Sequence, residues 1–573
     1  MSAFDHRKYV YRDFCDGANI FNERAFRGDN YNKIPKMEEN AAGYKSLFGI
    51  KARLNLSDNA WGCYEFILGD KSGEPAGIDL TGASKLVFWA KGEKGTERVG
   101  FSFGGTKDSS GKVSMGYIKL NDEWTKYEIP LNGVNLSSVS IGFRWEADRA
   151  NNPGVATTPG SGSGSGSGSS NGGSSGGSGS GSGSSNGGSS GGSGSSNGSD
   201  IVFYIDEIYF DFPKKQSPPL FVASYEGMGT GTDDYIINNF AYSYDNSLCI
   251  FGLSKAGKYG RVKQIADAFV YMINNDREYA DGRVRNAYMN GEQGLFPKMP
   301  GFYDLNDEKW YEDRFSISSS CGNAAWTAMA LIEAYSAVGD EEYLKTAVKI
   351  ADFLLTLKSV TGDGGFTGGY DGWESAKITY KATEHNIDLF AMFHTLAGLC
   401  DGKKREEYLD ASDHAKRFVL AMYDESRGCF YTGTKPDGIT IDKSVYPLDT
   451  NTWALLAMPD FPEKAKVMGF IEANFRSGGG YMFHIEGTGY GVWHEGTAQA
   501  ALVYKAVMGD RVKGAEIISF ILAGAAPGGG IYAADRDGLT TGFEWLYGKR
   551  VHAGATMWTY LAETEYNPFM PDM

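Results

Sequence analysis

The chain has 573 residues, 41% of them hydrophobic and 22% charged, with a formal net charge of -16. That length exceeds one ordinary core, so at least two folded bodies are required. The acidic balance argues against nucleic acid or an anionic membrane as partner. Cys15, Cys63, Cys249, Cys321, Cys400 and Cys429 are widely spread with no C-x-x-C pair, which excludes a zinc knuckle or thioredoxin motif and reads as buried free thiols. The opening residues Met1 to Lys8 lack an apolar signal region, and no stretch is long enough to span a bilayer. The chain is expected either to be cytoplasmic or to be secreted, or held at the cell surface, after removal of a signal.

Residues 1 to 213 read as all-β. Lys85 to Ala90, Val99 to Phe103, Trp124 to Ile129 and Ser140 to Trp145 alternate apolar and polar residues between Gly, Asn and Asp punctuation, as in a β-sandwich or jelly roll. From Gly160 to Ser199 the chain contains only Gly, Ser and Asn, with one twelve-residue block appearing twice, at 169 and at 184. Such a tract buries nothing and is expected to be a flexible coil with an end-to-end distance of roughly 35 Å. Ile201 to Phe210 follows it and reads as one more strand, so the tract is a long loop inside the sandwich rather than a divider between domains. Pro213 to Pro219 reads as the interdomain linker, placed at 214–219, with a second domain over 220–573.

The sandwich resembles the jelly-roll carbohydrate-binding modules attached to glycan-degrading enzymes. The resemblance is carried by Asp13-Phe-Cys-Asp-Gly17, Trp61-Gly-Cys-Tyr64 and Tyr204-Ile-Asp-Glu-Ile-Tyr-Phe210. It implies a structural calcium near the terminal Asp, with Asp206 or Asp13 as ligand. It also implies sugar platforms among Trp61, Tyr64, Trp89 and Trp145, although Trp145 shares a face with Ile141 and Phe143 and so reads as core.

From about residue 220 the periodicity becomes helical. Six segments recur in which a polar residue, followed within two positions by Gly, Asn or Thr, opens a helix rich in Ala, Leu and Phe. They begin near Asp245, Cys321, Glu384, Asp449, Glu495 and His552, spaced by 76, 63, 65, 46 and 57 residues. Amphipathic helices lie between them, at Arg261 to Asn274, Glu342 to Leu357, Arg405 to Met422 and Glu463 to Asn474. Apolar helices alternating with amphipathic ones define an inner and an outer ring, an all-α (α/α)6 toroid, in which each repeat is too weak to fold alone. The whole chain is thus multidomain, a β-sandwich followed by a toroid.

Parallel inner helices bring their N-termini to one face, where unpaired N–H groups and the helix dipole favour carboxylates. Asp245, Glu384, Asp449 and Glu495 fall at that level, with His385, His494 and His552 beside them. Asp245 and Asp449 read equally well as helix caps; Glu384 is released from that duty because Thr383 can cap. Glycosidic cleavage needs one protonated carboxyl and one ionised carboxylate, which four convergent acids supply. Loops around Trp310 and Tyr311, Trp373, and Trp545 and Tyr547 carry aromatics suited to stacking on pyranose rings.

The segment from about 220 resembles the (α/α)6 glycoside-hydrolase-like proteins of bacterial polysaccharide loci. The carrying motifs are Tyr244-Asp-Asn246, Gly282-Arg-Val-Arg-Asn-Ala-Tyr288, Trp310-Tyr-Glu-Asp313, Gly368-Gly-Tyr-Asp-Gly-Trp-Glu374, Thr383-Glu-His-Asn386, Trp493-His-Glu-Gly-Thr497 and Ala533-Ala-Asp-Arg-Asp-Gly538. The resemblance implies a glycoside hydrolase acting on a polysaccharide or oligosaccharide without a catalytic cofactor. Glu384 would be the general acid and Glu495 the base or nucleophile, with Asp449 and Asp245 tuning the pair or orienting water. His385, Asn386, Tyr244, Trp310, Tyr311 and Trp373 would contact sugar, as would Trp493, His494, Trp545 and Tyr547. A polysaccharide lyase using Arg283, Arg285, Tyr288 and His552, an epimerase using His385 and His494, and a non-catalytic glycan-binding protein are the competing readings.

Overall fold

Short strands, some alternating and some buried throughout, build the N-terminal sandwich. The computed structural model describes residues 7–12, 19–21, 23–30, 33–34, 37–44, 46, 48–68, 77–154, 200–212, 218–226, 236–293, 299–304, 307, 309–485, 491–543 and 545–571. The Gly/Ser tract, Asp13 and most of the 214–219 linker lie outside the described residues. Sheet one contains β1 (Arg7–Tyr11), β3 (Glu38–Ala42), β4 (Phe48–Asn55), β6 (Lys85–Gly92), β9 (Thr125–Pro130) and β11 (Asp200–Asp211), in the order β3-β4-β11-β6-β9 with β1 also on β11. Sheet two contains β2 (Glu23–Gly28), β5 (Trp61–Ile67), β7 (Arg98–Phe103), β8 (Val113–Lys119) and β10 (Ile141–Asp148), in the order β2-β5-β10-β7-β8.

The strand that follows the Gly/Ser tract is therefore central. β11 pairs antiparallel with β4 over Asp200 to Ile205, with β1 over Ile208 to Asp211, and with β6 along its other edge. Inward residues of the two sheets meet edge to face: Phe88 lies 5.1 Å from Phe143, and Trp145 lies 5.1 Å from Phe203. Tyr64 and Trp145 are core, whereas Trp61 is exposed and Trp89 stacks on Tyr44 at 3.7 Å.

Asp206 sits where β11 bulges, beside Glu207 at φ 49°. Its carboxyl is buried and accepts from the Tyr44 amide at 2.6 Å, the Ser46 hydroxyl at 2.7 Å and the Glu207 amide at 2.8 Å. Burial pushes its pKa up to about 7 against those hydrogen bonds. The described hydrogen-bond partners of this carboxyl, the calcium candidate of the sandwich, are thus the Tyr44 and Glu207 amides and the Ser46 hydroxyl.

In the toroid the inner helices are α1 (Ser243–Lys255), α3 (Cys321–Val338), α5 (Thr383–Gly398), α7 (Leu448–Ala457), α9 (His494–Leu502) and α11 (Ala553–Glu563). The outer helices are α2 (Tyr259–Asn274), α4 (Glu341–Leu355), α6 (Gly402–Ala421), α8 (Lys464–Asn474) and α10 (Arg511–Ala523). Every residue of α7 and α9 is buried, while α2 and α4 bury one stripe each, because only the inner ring is covered on both sides. Each inner helix packs on the next, and α11 closes onto α1.

Five outer helices accompany the six inner ones among the described residues. After α11 the chain turns at Glu565 (φ 57°) and runs beneath the ring. Tyr566 donates to Glu333 at 2.7 Å, Asn567 donates to the Leu456 carbonyl at 2.8 Å, and Phe569 enters among Trp326, Trp453 and Trp558 at 5.2, 5.7 and 6.5 Å. The tail plugs the end of the ring opposite the helix N-termini.

Candidate active site

The recurring helix openings superpose residue by residue. At position four of five inner helices stand Asn246, Asn386, Asn451, Thr497 and Thr556. Each side chain accepts from a backbone N–H of a preceding segment, from Val222, Phe366, Phe430, Tyr481 and Ile531 at 2.7 to 3.0 Å. Each also donates to the carbonyl just before its own helix, at Tyr242, Ala382, Pro447, Trp493 and His552. The Asn or Thr of the repeat is therefore a structural tie, and Asn386, a sugar-contact candidate, is buried with its amide on backbone groups. Asn386→Ala is expected to lower stability by about 3 kcal/mol, since it strands buried backbone groups; thermal melting checks it.

Position two carries the acids. Glu384, Asp449 and Glu495 occupy it on the consecutive helices α5, α7 and α9, and Tyr244 occupies it on α1. Position two of α3 and α11 is Gly322 and Gly554, and both are required. A Cβ on Gly554 would stand 2.7 Å from Asp245 Oδ1 and 3.0 Å from Glu495 Oε2, and one on Gly322 would stand 2.3 Å from the His385 ring. Asp245 and Asp449 lie inside the first turn after Tyr242 and Pro447, so neither is the capping residue. Thr383 does not cap either; its hydroxyl donates to the Tyr431 carbonyl at 2.7 Å.

Two linked groups result. In the first, Tyr244 donates to Glu495 Oε1 at 2.6 Å and itself accepts from the Trp558 indole N–H at 2.6 Å. His552 Nδ1 accepts from the Ala555 amide, so Nε2 carries the proton and faces Asp245 at 3.2 Å. Glu495 Oε2 lies 3.6 Å from Nδ1, and Tyr225 stacks on the imidazole at 4.4 Å. Burial pulls His552 down, but the Asp245 carboxylate outweighs it and raises the imidazole. Burial also pushes Glu495 up to about 7; His552 and the Tyr244 hydrogen bond oppose this, and Asp245 adds to it.

In the second group, Glu384 and Asp449 are close enough for the charge of one to act on the other. Burial raises both, and the Asp449 charge raises Glu384 further, so the pair holds a proton well above the usual carboxyl range. The Glu384 side chain keeps 31% of its surface accessible although protein surrounds it, as expected for a group on the floor of a cup.

One turn along α5, Asp388 is fully buried, and neither carboxyl oxygen meets a hydrogen-bond donor in good geometry among the described residues. Burial raises it well above an ordinary Asp, Glu384 and Asp449 add to that, and the Trp326 indole opposes it. Asp388 and Tyr225 escaped sequence reasoning. The i, i+4 spacing of Glu384 and Asp388 inside an apolar run was the available signal for the first; the second reaches His552 only through strand pairing. A raised folded pKa adds stability below the unfolded value near 3.8, and that gain is lost as pH rises. Asp388→Asn should therefore gain on the parent as pH climbs from 4 to 9, by at most about 1.4 kcal/mol per pH unit, read as the difference in melting temperature at pH 5 and pH 8.

Of the remaining sugar-contact candidates, Trp373 and Trp545 stand exposed at the rim with Tyr380. Tyr547 packs behind them, stacked on a buried Trp493 at 5.9 Å. His494 turns away, with Nδ1 on the Tyr532 carbonyl at 2.8 Å. Trp310 is buried with Met289 and Tyr303, and Tyr311 is bound to Asp307 at 2.6 Å in a hairpin whose Tyr303 meets Arg24 of the sandwich, so the structure places neither beside the acids. Among the described residues no group of three or more His, Cys, Asp or Glu is arranged to hold a metal ion.

No family model matches the sequence, and no curated protein matches it. Solved structures similar to the chain include a glycosidase in complex with glucose, at 13% identity and a TM-score of 0.45, covering 62% of this chain and 93% of that one. A sugar epimerase from a ruminal bacterium is 11% identical with a TM-score of 0.44, over 61% and 93% of the two chains. Cellobiose 2-epimerase from Bacillus thermoamylovorans is 10% identical with a TM-score of 0.43, over 61% and 94%. By its own helix packing the chain is an (α/α)6 toroid with an acid-lined mouth, preceded by a β-sandwich.

Proposed function

We propose that the protein is a glycoside hydrolase acting on a polysaccharide or oligosaccharide, with the sandwich as a glycan-binding module. The observation that carries this reading is the placement of Glu384, Asp449 and Glu495 at one helix position on three neighbouring inner helices, in environments that separate their roles. Glu384, kept protonated by burial and Asp449, is the general acid. Glu495, held by Tyr244 and lying beside His552, is the nucleophile or the base that activates water. Asp245 keeps His552 oriented, and Asp449 sustains the proton on Glu384. Exposed Trp373, Tyr380 and Trp545 suit a sugar chain laid across the mouth.

Some residues of the competing activities are bound to other partners. Arg285 is bound to Asp276 at 2.6 Å and Arg283 to Asp281 at 2.7 Å, so neither is free to neutralise a uronate for a lyase. His494, a partner in the epimerase reading, has its Nδ1 on the Tyr532 carbonyl. Digestion of a panel of β-glucans, α-glucans, mannans and uronate polymers is the test. Shorter saccharides are expected; an ultraviolet-absorbing unsaturated product, or an isomerised sugar of unchanged length, would overturn the reading.

A further inference from the structure

His385 follows Glu384 in the chain, and each of its ring nitrogens has a polar neighbour. Cys321 Sγ, on the first residue of α3, lies 3.5 Å from Nδ1, and Glu384 Oε1 lies 3.5 Å from Nε2. The ring is pressed onto α3 at Gly322, where a side chain would collide with it. Cys321 itself is completely buried. The thiol, the imidazole and the carboxyl thus stand in a row that reaches from the packed interior to the floor of the cup.

We infer that His385 is the positioning residue of Glu384: the Cys321 thiol donates to Nδ1, which places the imidazole proton on Nε2, and that proton is donated to Glu384 Oε1. The catalytic part of this role rests on Glu384 being the general acid; the tautomer and the hydrogen bond do not. With Oε1 occupied as an acceptor, the acid proton resides on Oε2. When Oε2–H breaks and the proton passes to the leaving oxygen, the new carboxylate is stabilised by Nε2–H without any proton leaving His385.

The surroundings keep every group in the required state. Burial raises the Cys321 thiol far above the usual range, and Asp388 adds to this, so the S–H is retained. Burial lowers His385 to about 4, so the ring is neutral at neutral pH. The groups around Glu384 are Asp449 on α7, Asp388 on its own helix, Cys321 on α3, and the Tyr380 hydroxyl ahead of α5. No cation is among these described groups, and the imidazole Nε2 stands 3.5 Å from the carboxyl oxygen, within reach of it.

Seven histidines make the test tractable by histidine-selective 15N labelling of the full chain. Long-range proton–nitrogen spectra are expected to show His385 as the Nε2–H tautomer, neutral from pH 5 to pH 9, with an Nε2 shift that inflects as Glu384 titrates. Glu384→Gln should abolish that inflection, Cys321→Ala should mix the tautomers, and Cys321→Ser should restore the single one. An Nδ1–H tautomer in the parent protein, or an Nε2 shift that never inflects, overturns the inference. On whichever panel glycan is cleaved, His385→Phe should cost about tenfold in kcat at unchanged KM, and His385→Gln should recover most of it. Removing a donor to the carboxylate disfavours its charged form, so the alkaline limb of the His385→Phe profile should move to higher pH. A raised KM with that limb unmoved would make His385 a sugar contact and overturn the inference. Should Glu384→Gln leave cleavage intact, the general-acid reading fails while the spectra still decide the tautomer.

Discussion

Glu384→Gln and Glu495→Gln are each expected to lower kcat on a cleaved glycan by about 10² to 10⁴ fold, the usual contribution of a positioned acid or base. The two losses should differ in kind. An aryl glycoside with a good leaving group needs no proton from the enzyme, so Glu384→Gln should retain far more activity on it than on the natural glycan. Glu495→Gln should be inactive on both. Because Glu495 must be ionised and is raised to about 7, while Glu384 must be protonated and is raised by burial beside Asp449, parent activity should climb as pH rises through neutrality and fall again as pH passes the raised Glu384 value. Asp449→Asn removes the neighbouring charge and should move the fall to lower pH. Equal activity of the parent and both glutamine variants on every cleaved glycan would place the site elsewhere.

Phe569→Ala is expected to cost about 3 to 5 kcal/mol of stability, among the largest single-residue effects in the toroid. Its ring is buried against Trp326, Trp453 and Trp558, whose other neighbours include Tyr244, the residue that holds Glu495. The cavity would therefore open directly under the hydrogen-bonded floor of the site. A drop of several degrees in melting temperature, with a changed near-ultraviolet tryptophan signal, is the expected result. Unchanged melting would show that the tail does not support the ring. Asn567→Ala, which loses one hydrogen bond to the Leu456 carbonyl, should have a much smaller effect.

The helix openings were visible in the chain because they repeat, but their meaning was only half legible. The same four-residue pattern carries a tie at position four and an acid at position two. Sequence spacing cannot say which side chain turns to the mouth and which to the backbone behind it. Asn386 and Glu384 are two residues apart in one turn, yet one is buried in backbone hydrogen bonds and the other floors the cup. Aromatic loops misled for a related reason: Trp310 and Trp373 look alike in sequence, and only packing separates a buried ring from an exposed one.

The amino-acid sequence alone determined the alternation of strands and then of apolar and amphipathic helices, because burial on one face or two dictates residue type with a fixed period. It also determined that first-turn acids recur at one level of the ring. Partnership was decided by the closed tertiary structure. His552 meets Asp245 across 307 residues of chain, Tyr244 meets Glu495 across 251, and Trp558 meets Tyr244 across 314. Those contacts exist because the last inner helix closes onto the first, and there burial raises the Glu495 carboxyl while the Asp245 charge raises the His552 imidazole against burial.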